Sequence, residues 1–330
     1  MATLGANVLT LADWAKRLDP DGKIAMIVEM LAQMNRVLDD MLWMEGNLPT
    51  GHRTTVRTGL PAVAWRLLNK GVAKSKSTTA QIDEAVGMLE ARSEVDKDLA
   101  ELNGNLGAFR LSEAQAFIES MSQEMAQTFF YGNSSTAPEE FTGLATRYSS
   151  LAAANAQNIV DAGGVGADNA SIWLVLWGAQ TVFGIYPKGS RAGLIHEDLG
   201  LIDAFDGDNN RFRAYSDRWQ WKCGIALKDW RYAVRIANID VSNLVAKSSA
   251  ADLFDVMIKA THRIPNLGGG RPSFYMNRSC FQMLDIQGRD DVQSGGQLNY
   301  DIVAGRRVPS FRGIPIGVCD ALLETEAQVT

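Results

Sequence analysis

The chain has 330 residues, 46% hydrophobic and 21% charged, with a formal net charge of −6 and a pI near 5.2. That length suffices for two sizeable domains or one elaborated domain, and the composition excludes wholesale disorder. A protein that wraps nucleic acid over its main face should be basic, so the acidic balance argues against a dedicated DNA reader.

The opening MATLGANVLTLADWAKRLDP has no basic region followed by an apolar run, so no signal peptide is expected. Residues 10–44 read as helical. Thr10 or Asp13 can cap a short first helix that Pro20 and Asp21-Gly22 break. A second helix carries Ile24, Ile27, Leu31, Met34, Val37, Leu38 and Met41 at 3.6-residue spacing. Its methionines suit packing on an irregular surface.

From 46 to 82 the chain holds Arg53, Arg57, Arg66, Lys70, Lys74 and Lys76 and not one Asp or Glu. Alternation over 53–57 and 62–67 predicts strands, so the segment reads as a hairpin. It also carries Val63, Trp65, Leu67 and Leu68, which an isolated loop would not expose to water. Residues 83–101 invert the sign: Asp83, Glu84, Glu90, Glu94, Asp96, Asp98 and Glu101 face only Arg92 and Lys97. The two blocks are either two solvated faces or the two halves of a head-to-tail contact between neighbouring subunits.

Residues 111–131 are the clearest helix. Ser112 and Gln115 form a capping box. Ala114, Phe117, Ile118, Met121, Met125 and Phe129 make one apolar stripe, and Gly132 stops it. A second helical stretch is expected at 138–149, followed by an Ala/Asn/Gly-rich link at 152–169. The run SIWLVLWGAQTVFGI (171–185) is too short and interrupted to span a bilayer, which needs about 20 apolar residues; it reads as a buried strand pair. Period-two alternation predicts half-buried strands over 219–228 and 232–236. A short amphipathic helix is expected at 250–261, strands at 272–276 and 313–318, and a polar loop at 288–297.

The chain is poor in chemistry. Cys223, Cys280 and Cys319 are far apart and odd in number, which argues for reduced thiols and against a disulfide framework. His52, His196 and His262 belong to no HExxH motif and have no cysteine at metal spacing, so they read as surface or loop residues. There is no GxSxG elbow, phosphate loop or GxGxxG after a strand, and Gly268–Gly270 reads as a flexible turn. Asp206, Asp208, Asn210 and Asp217 imitate a calcium loop, but the sixth position is Arg211 where a glycine is needed, and a polar turn is the simpler reading. Asp290-Asp291 lie where nothing desolvates them, so tuned acid–base work is not expected.

Four segments taken in order, RLSEAQAFIESMSQEMAQTFFYGN (110–133), EEFTGLATRY (139–148), ADNASIWLVLWG (167–178) and VFGIYPKGSRAGL (182–194), resemble the major capsid proteins of tailed bacteriophages. Within them the chain resembles most the coat proteins of short-tailed phages of the Bordetella-phage type. The resemblance covers essentially the whole chain and implies an α+β, Hong-Kong-97-like phage capsid fold. By position it implies an N-terminal arm at 1–47, an E-loop hairpin at 48–82, a peripheral (P) domain at 83–164 with spine helix 111–131, and an axial (A) domain at 165–330. P-domain strands would interleave around 217–245. Placing that pair before Gly313-Ile314-Pro315 departs from the founding members and implies a permuted segment order.

The function implied is a non-enzymatic subunit that assembles through pentamers and hexamers into an icosahedral head around double-stranded DNA, without a cofactor or metal. Implied partners are further copies of the chain, a portal protein, scaffolding and cement proteins, and packaged DNA through weak contacts, but no membrane. The implied location is the virion, after assembly in the host bacterial cytoplasm. The expected intersubunit contacts are Arg53, Arg57, Val63, Trp65, Arg66, Leu67 and Lys70 of the E-loop, against an acidic surface that includes Glu90, Glu94 and Asp96. The alternatives are a metal-binding enzyme using Asp206, Asp208 and Asn210, and a nucleic-acid-binding module using 51–76.

Overall fold

The stretch NASIWLVLW is apolar at nearly every position, and a strand with that pattern must be covered on both faces. The computed structural model describes residues 9, 13, 33–104, 106–206, 208–290, 298–303 and 306–330. In it this stretch forms β6 (Asn169–Trp177), buried at every position. The elements before it are α1 (Val37–Asp40), β1 (Trp43–Glu45), β2 (Gly51–Gly59), β3 (Thr78–Ala85), β4 (Gly87–Asp96), α2 (Lys97–Ala100), α3 (Leu106–Tyr131), α4 (Leu144–Arg147) and β5 (Ile159–Asp161). After it come β7 (Val182–Tyr186), β8 (Leu194–Phe205), β9 (Arg211–Leu227), β10 (Ala233–Asp240), α5 (Val241–Ala246), α6 (Leu253–Arg263), β11 (Arg271–Met276), α7 (Arg278–Asp290), β12 (Leu298–Val303), β13 (Arg306–Phe311) and β14 (Ile314–Val318). The architecture is α+β, as expected.

Alternate residues of β6 serve two cores. Trp173, Val175 and Trp177 join Met125, Phe129, Phe130 and Tyr148 under the C-terminal half of α3. Ala170, Ile172 and Leu174 join Leu253, Phe254, Met257, Met283 and Leu284 of α6 and α7 on the other side. β6 pairs antiparallel with both β10 and β11. The expected pair at 171–185 is correct in its burial, but β6 and β7 meet at one register position only, Trp177↔Val182. Likewise β9 and β10, expected as a pair, have different partners. The 17-residue β9 pairs with β4 and β8 beside α3, and with β7 at its far end. β10 pairs with β6 and β5.

Several local expectations yield to tertiary packing. The stripe residues Ile24, Ile27 and Leu31 lie outside the described residues. Over 33–44 the helix is α1 alone, while 43–45 is a strand parallel to β7; Val37 and Met41 are buried in the α3 core. The long helix starts at Leu106, not at 111, and runs about 39 Å at ~1.5 Å per residue. Its added first turn is held by Phe109, fully buried with Val95, Leu99 and Ala100. Ser112 therefore sits inside the helix and caps nothing, and its buried hydroxyl has no partner among the described residues. Of the expected stripe, Ile118 is exposed, while Phe117 stacks on Trp219 at 4.9 Å.

Helix at 138–149 shrinks to α4. The chain before it crosses the end of α3 in extended form, with Gly143 N–H donating to the Gly132 carbonyl at 2.8 Å. A Cβ on Gly143 would lie 2.7 Å from the carbonyl oxygens of Thr128 and Phe130. The helix expected at 250–261 is α6, capped by Asp252, which accepts from Asp255 N–H at 3.1 Å. α7 continues to Asp290 where a loop from 288 was expected, and 291–297 lie outside the described residues. Strands at 272–276 and 313–318 appear as β11 and β14.

Candidate intersubunit interface

The hairpin forms, but not as far as the sequence suggests. β2 and β3 pair from Gly51↔Ala85 to Gly59↔Thr78, an arm of about 30 Å at ~3.4 Å per residue. The second strand thus extends past the expected limit of 82. The strand expected at 62–67 is absent, and 60–77 carries no helix or strand. Pro61 has no N–H to donate, and beyond Gly59 the ribbon has solvent on both faces. A two-stranded ribbon without a covered face is marginal in water.

Charge and packing both hold the root of the hairpin to the body. Arg147 donates to both carboxylate oxygens of Glu84 at 2.6 Å, with both side chains largely buried. Asn47 closes the entry, accepting from Arg53 N–H at 2.7 Å and donating to its carbonyl at 2.8 Å. A Cβ on Gly51 would fall 1.9 Å from the Glu84 carbonyl oxygen, so only glycine allows this cross-strand approach. His52 sits edge-on to Phe183 at 5.5 Å. Burial, with Lys228 nearby, pushes its imidazole below the ordinary value, which keeps it neutral at pH 7. The histidines lie in β2, β8 and α6; His196 and His262 are on the surface, as expected, while His52 is half-buried.

The tip is held loosely by its own chain. Arg66 Nε donates to the Lys70 carbonyl at 2.8 Å, Lys70 N–H to Leu67 at 3.2 Å, and Ser75 Oγ to Ala62 at 2.7 Å. Its apolar side chains are in water. Trp65 is 103% exposed, Leu68 93%, Val63 92%, Leu60 81% and Leu67 69%. Leu60 was not singled out from the sequence, although it lies in the same run as the residues that were.

The basic residues divide. Arg53 makes a bidentate pair with Asp83 across the hairpin, both bonds at 2.6 Å. The hydrogen bond from Arg53 holds Asp83 below the usual carboxylate range. Arg53 is therefore neutralised within its own chain, by an acid one position beyond the acid-free segment. Arg57 is exposed and lines a groove of about 890 Å³ between the hairpin and the turn after β9, with Val56, Leu227 and Trp230. Arg66, Lys70, Lys74 and Lys76 are exposed.

The acidic block is not the open counter-surface that its composition implies. Asp83 binds Arg53, and Glu84 binds Arg147. Glu90 accepts from Arg218 at 2.7 Å and from Gln220 at 2.9 Å, and the Arg218 bond lowers its pKa. Asp96 caps α2, accepting from the N–H groups of Asp98 and Leu99. Glu101 accepts from Tyr215 at 2.8 Å. Of the three acidic contact residues expected, Glu94 is exposed and alone makes no ion pair or side-chain hydrogen bond among the described residues.

The calcium-like segment resolves into a turn. Asp206 accepts from the N–H groups of Asp208 and Asn210 and closes the β8–β9 hairpin. Asp217 lies elsewhere, bound to Arg110 at 2.8 Å and to His196 at 2.9 Å. No cluster of three metal-ligating side chains occurs among the described residues.

Comparison with known proteins bears on the whole chain. The family model of the major capsid protein GP7 matches residues 19–330. The solved capsid structure of bacteriophage Epsilon15 is 32% identical over 100% of both chains, with a TM-score of 0.76. The capsid of the native GTA particle aligns with 71% of this chain and 99% of its own at 10% identity and a TM-score of 0.45. The capsid of Myoviridae phage XM1 aligns with 65% and 95% at 10% identity and 0.43. No curated protein sequence matches.

Proposed function

The chain belongs to the major capsid protein GP7 family, and from that premise we propose that its exposed tip, 60–77, is the limb by which each subunit holds its neighbour in the shell. The protein is a tailed-phage major capsid protein of Hong-Kong-97-like fold, a building block of the icosahedral head.

The observation that carries the limb reading is the tip itself. Leu60, Val63, Trp65, Leu67 and Leu68 stand in water on an arm about 30 Å long. Exposed apolar side chains so concentrated mark a surface that is covered in the working state. Val63, Trp65 and Leu67 anchor the contact, and Arg57, Arg66 and Lys70 orient it. Arg53 serves the hairpin instead, through Asp83. Such contacts are heterologous, and they close rings of five or six copies.

The remaining parts of the reading follow from the same resemblance. The subunit has a structural and not a catalytic role. It resembles the coat proteins of short-tailed phages of the Bordetella-phage type. It assembles in the host bacterial cytoplasm with portal, scaffolding and cement proteins, and touches packaged DNA weakly. The arm, E-loop, P and A segments keep the bounds given above, except that the E-loop arm extends to Ala85.

Negative-stain images of the purified protein test this. Closed shells, or rings of five and six, are expected. A species that remains monomeric at high concentration and with its scaffold would refute the reading.

A further inference from the structure

The structure assigns the surface that receives the tip: a groove beside the C-terminal half of α3, which we propose accepts Trp65 of a second copy of this chain. The assignment rests on the limb reading above. The groove holds about 220 Å³, less than the ~300–1,000 Å³ of small-molecule sites and suited to one large side chain. Met88, Met125 and Phe141 form its apolar floor, and Glu124, Glu139 and Glu140 its rim. Met88 is 57% exposed, an apolar surface left open beside buried Met125 and Phe141. Glu124 and Glu139 are exposed, and among the described residues neither makes an ion pair. Among the described residues, Glu140 accepts only the Asn133 N–H, at 3.3 Å.

Tip and groove match in three respects. The tip presents an indole, and methionine sulfur makes favourable contacts with aromatic rings while adapting to their shape. It flanks the indole with Arg66, Lys70 and Lys74, and the groove offers three carboxylates. By contrast, the acids of 83–101 are mostly engaged inside the chain, by Arg53, Arg147, Arg218, Tyr215 and the first turn of α2. The occupant is a second copy because the chain's own Trp65 is fully exposed and so does not fill its own groove.

The test is a site-directed crosslink in shells made from the full chain. Ala64→Cys puts a thiol on the tip and leaves Trp65 in place. Glu139→Cys puts one on the groove rim, and Glu94→Cys one on the rival acidic strand. Cys223, Cys280 and Cys319 are buried, so the introduced thiols react alone. With a short bis-maleimide, Ala64→Cys/Glu139→Cys shells should give a ladder of linked copies on a denaturing gel. Linkage in Ala64→Cys/Glu94→Cys shells instead, or intact shells unlinked in both, overturns the assignment.

A charge swap keeps the test open if a cysteine pair does not assemble. Glu124→Lys/Glu139→Lys should reduce shell yield at least tenfold, and adding Arg66→Glu/Lys70→Glu to the same chain should restore it. Unchanged yield in the first variant, or no restoration in the second, also overturns it. If the unsubstituted protein forms no shells, the capsid reading itself fails, which is a different result from shells that form without this contact.

Discussion

Replacing Trp65 by alanine separates an intersubunit anchor from a residue of the subunit core. Trp65 is 103% exposed in the single chain, so it contributes no burial to the subunit fold. Its removal should therefore leave subunit stability within about 0.5 kcal/mol of the parent, as for other surface substitutions. Assembly is another matter. A Trp side chain covered at an interface loses roughly 150–250 Å² of accessible surface, worth about 4–6 kcal/mol at ~25 cal/mol per Å². Part of this is offset by the ordering of the tip, and truncation of aromatic hot spots typically costs about 2–4 kcal/mol. At ~1.4 kcal/mol per tenfold, the subunit concentration needed for assembly should rise about 30- to 700-fold. Sedimentation of shells against free subunits over a concentration series measures this, with circular dichroism and a urea titration on the subunit as the control. A variant that assembles at the parent's concentration, or whose subunit unfolds, would refute the reasoning.

Two further outcomes follow from the interior. Arg235 and Glu326 are both buried and pair at 2.8 Å, and Arg235 also donates to the Tyr148 carbonyl and to Ser171. Glu326→Gln leaves a buried guanidinium without its counter-charge, at a cost of about 3–5 kcal/mol. With a urea slope near 3 kcal/mol per M, the midpoint should fall by about 1 M or more; a shift under ~0.3 M would show that the pair is dispensable. The three cysteines offer a chemical check. Burial raises all three thiols, Cys280 and Cys319 to about 12 and Cys223 further still. Since the thiolate is the reactive form, none should react with a thiol reagent at pH 8 in the native subunit, and all three should react in denaturant. Rapid labelling of the folded protein would contradict the packing described here.

Local readings succeeded where a segment's environment is written in its own residues. The apolar run at 171–185 read as two buried strands, and β6 and β7 are both buried although they barely pair. The first strand of the hairpin, 51–59, followed from its alternation, but its partner is 78–85 and not the expected 62–67, which stands in water as the tip. Readings failed where the deciding partner is distant in sequence. The capping box at Ser112 was overruled by Phe109, whose burial against β4 and α2 extends the helix by a turn. The helix at 138–149 was shortened because the chain there must cross the end of α3.

The sequence by itself determined the class of protein: an α+β capsid subunit, with a basic, apolar limb and no motif for catalysis. The class rests on the resemblance of four ordered segments to capsid proteins, the limb on composition and period within one segment, and neither needs knowledge of what lies opposite. Only the tertiary structure decided where the charges go. Glu84 finds Arg147 across 63 positions, Glu326 finds Arg235 across 91, and Arg110 finds Asp217 across 107. Ion pairs depend on distance in space, and a run of acids carries no record of which arginine the fold will bring within 3 Å. That is why the acidic block at 83–101 looked like an open surface, while Glu124 and Glu139, beside an apolar floor, make no ion pair among the described residues.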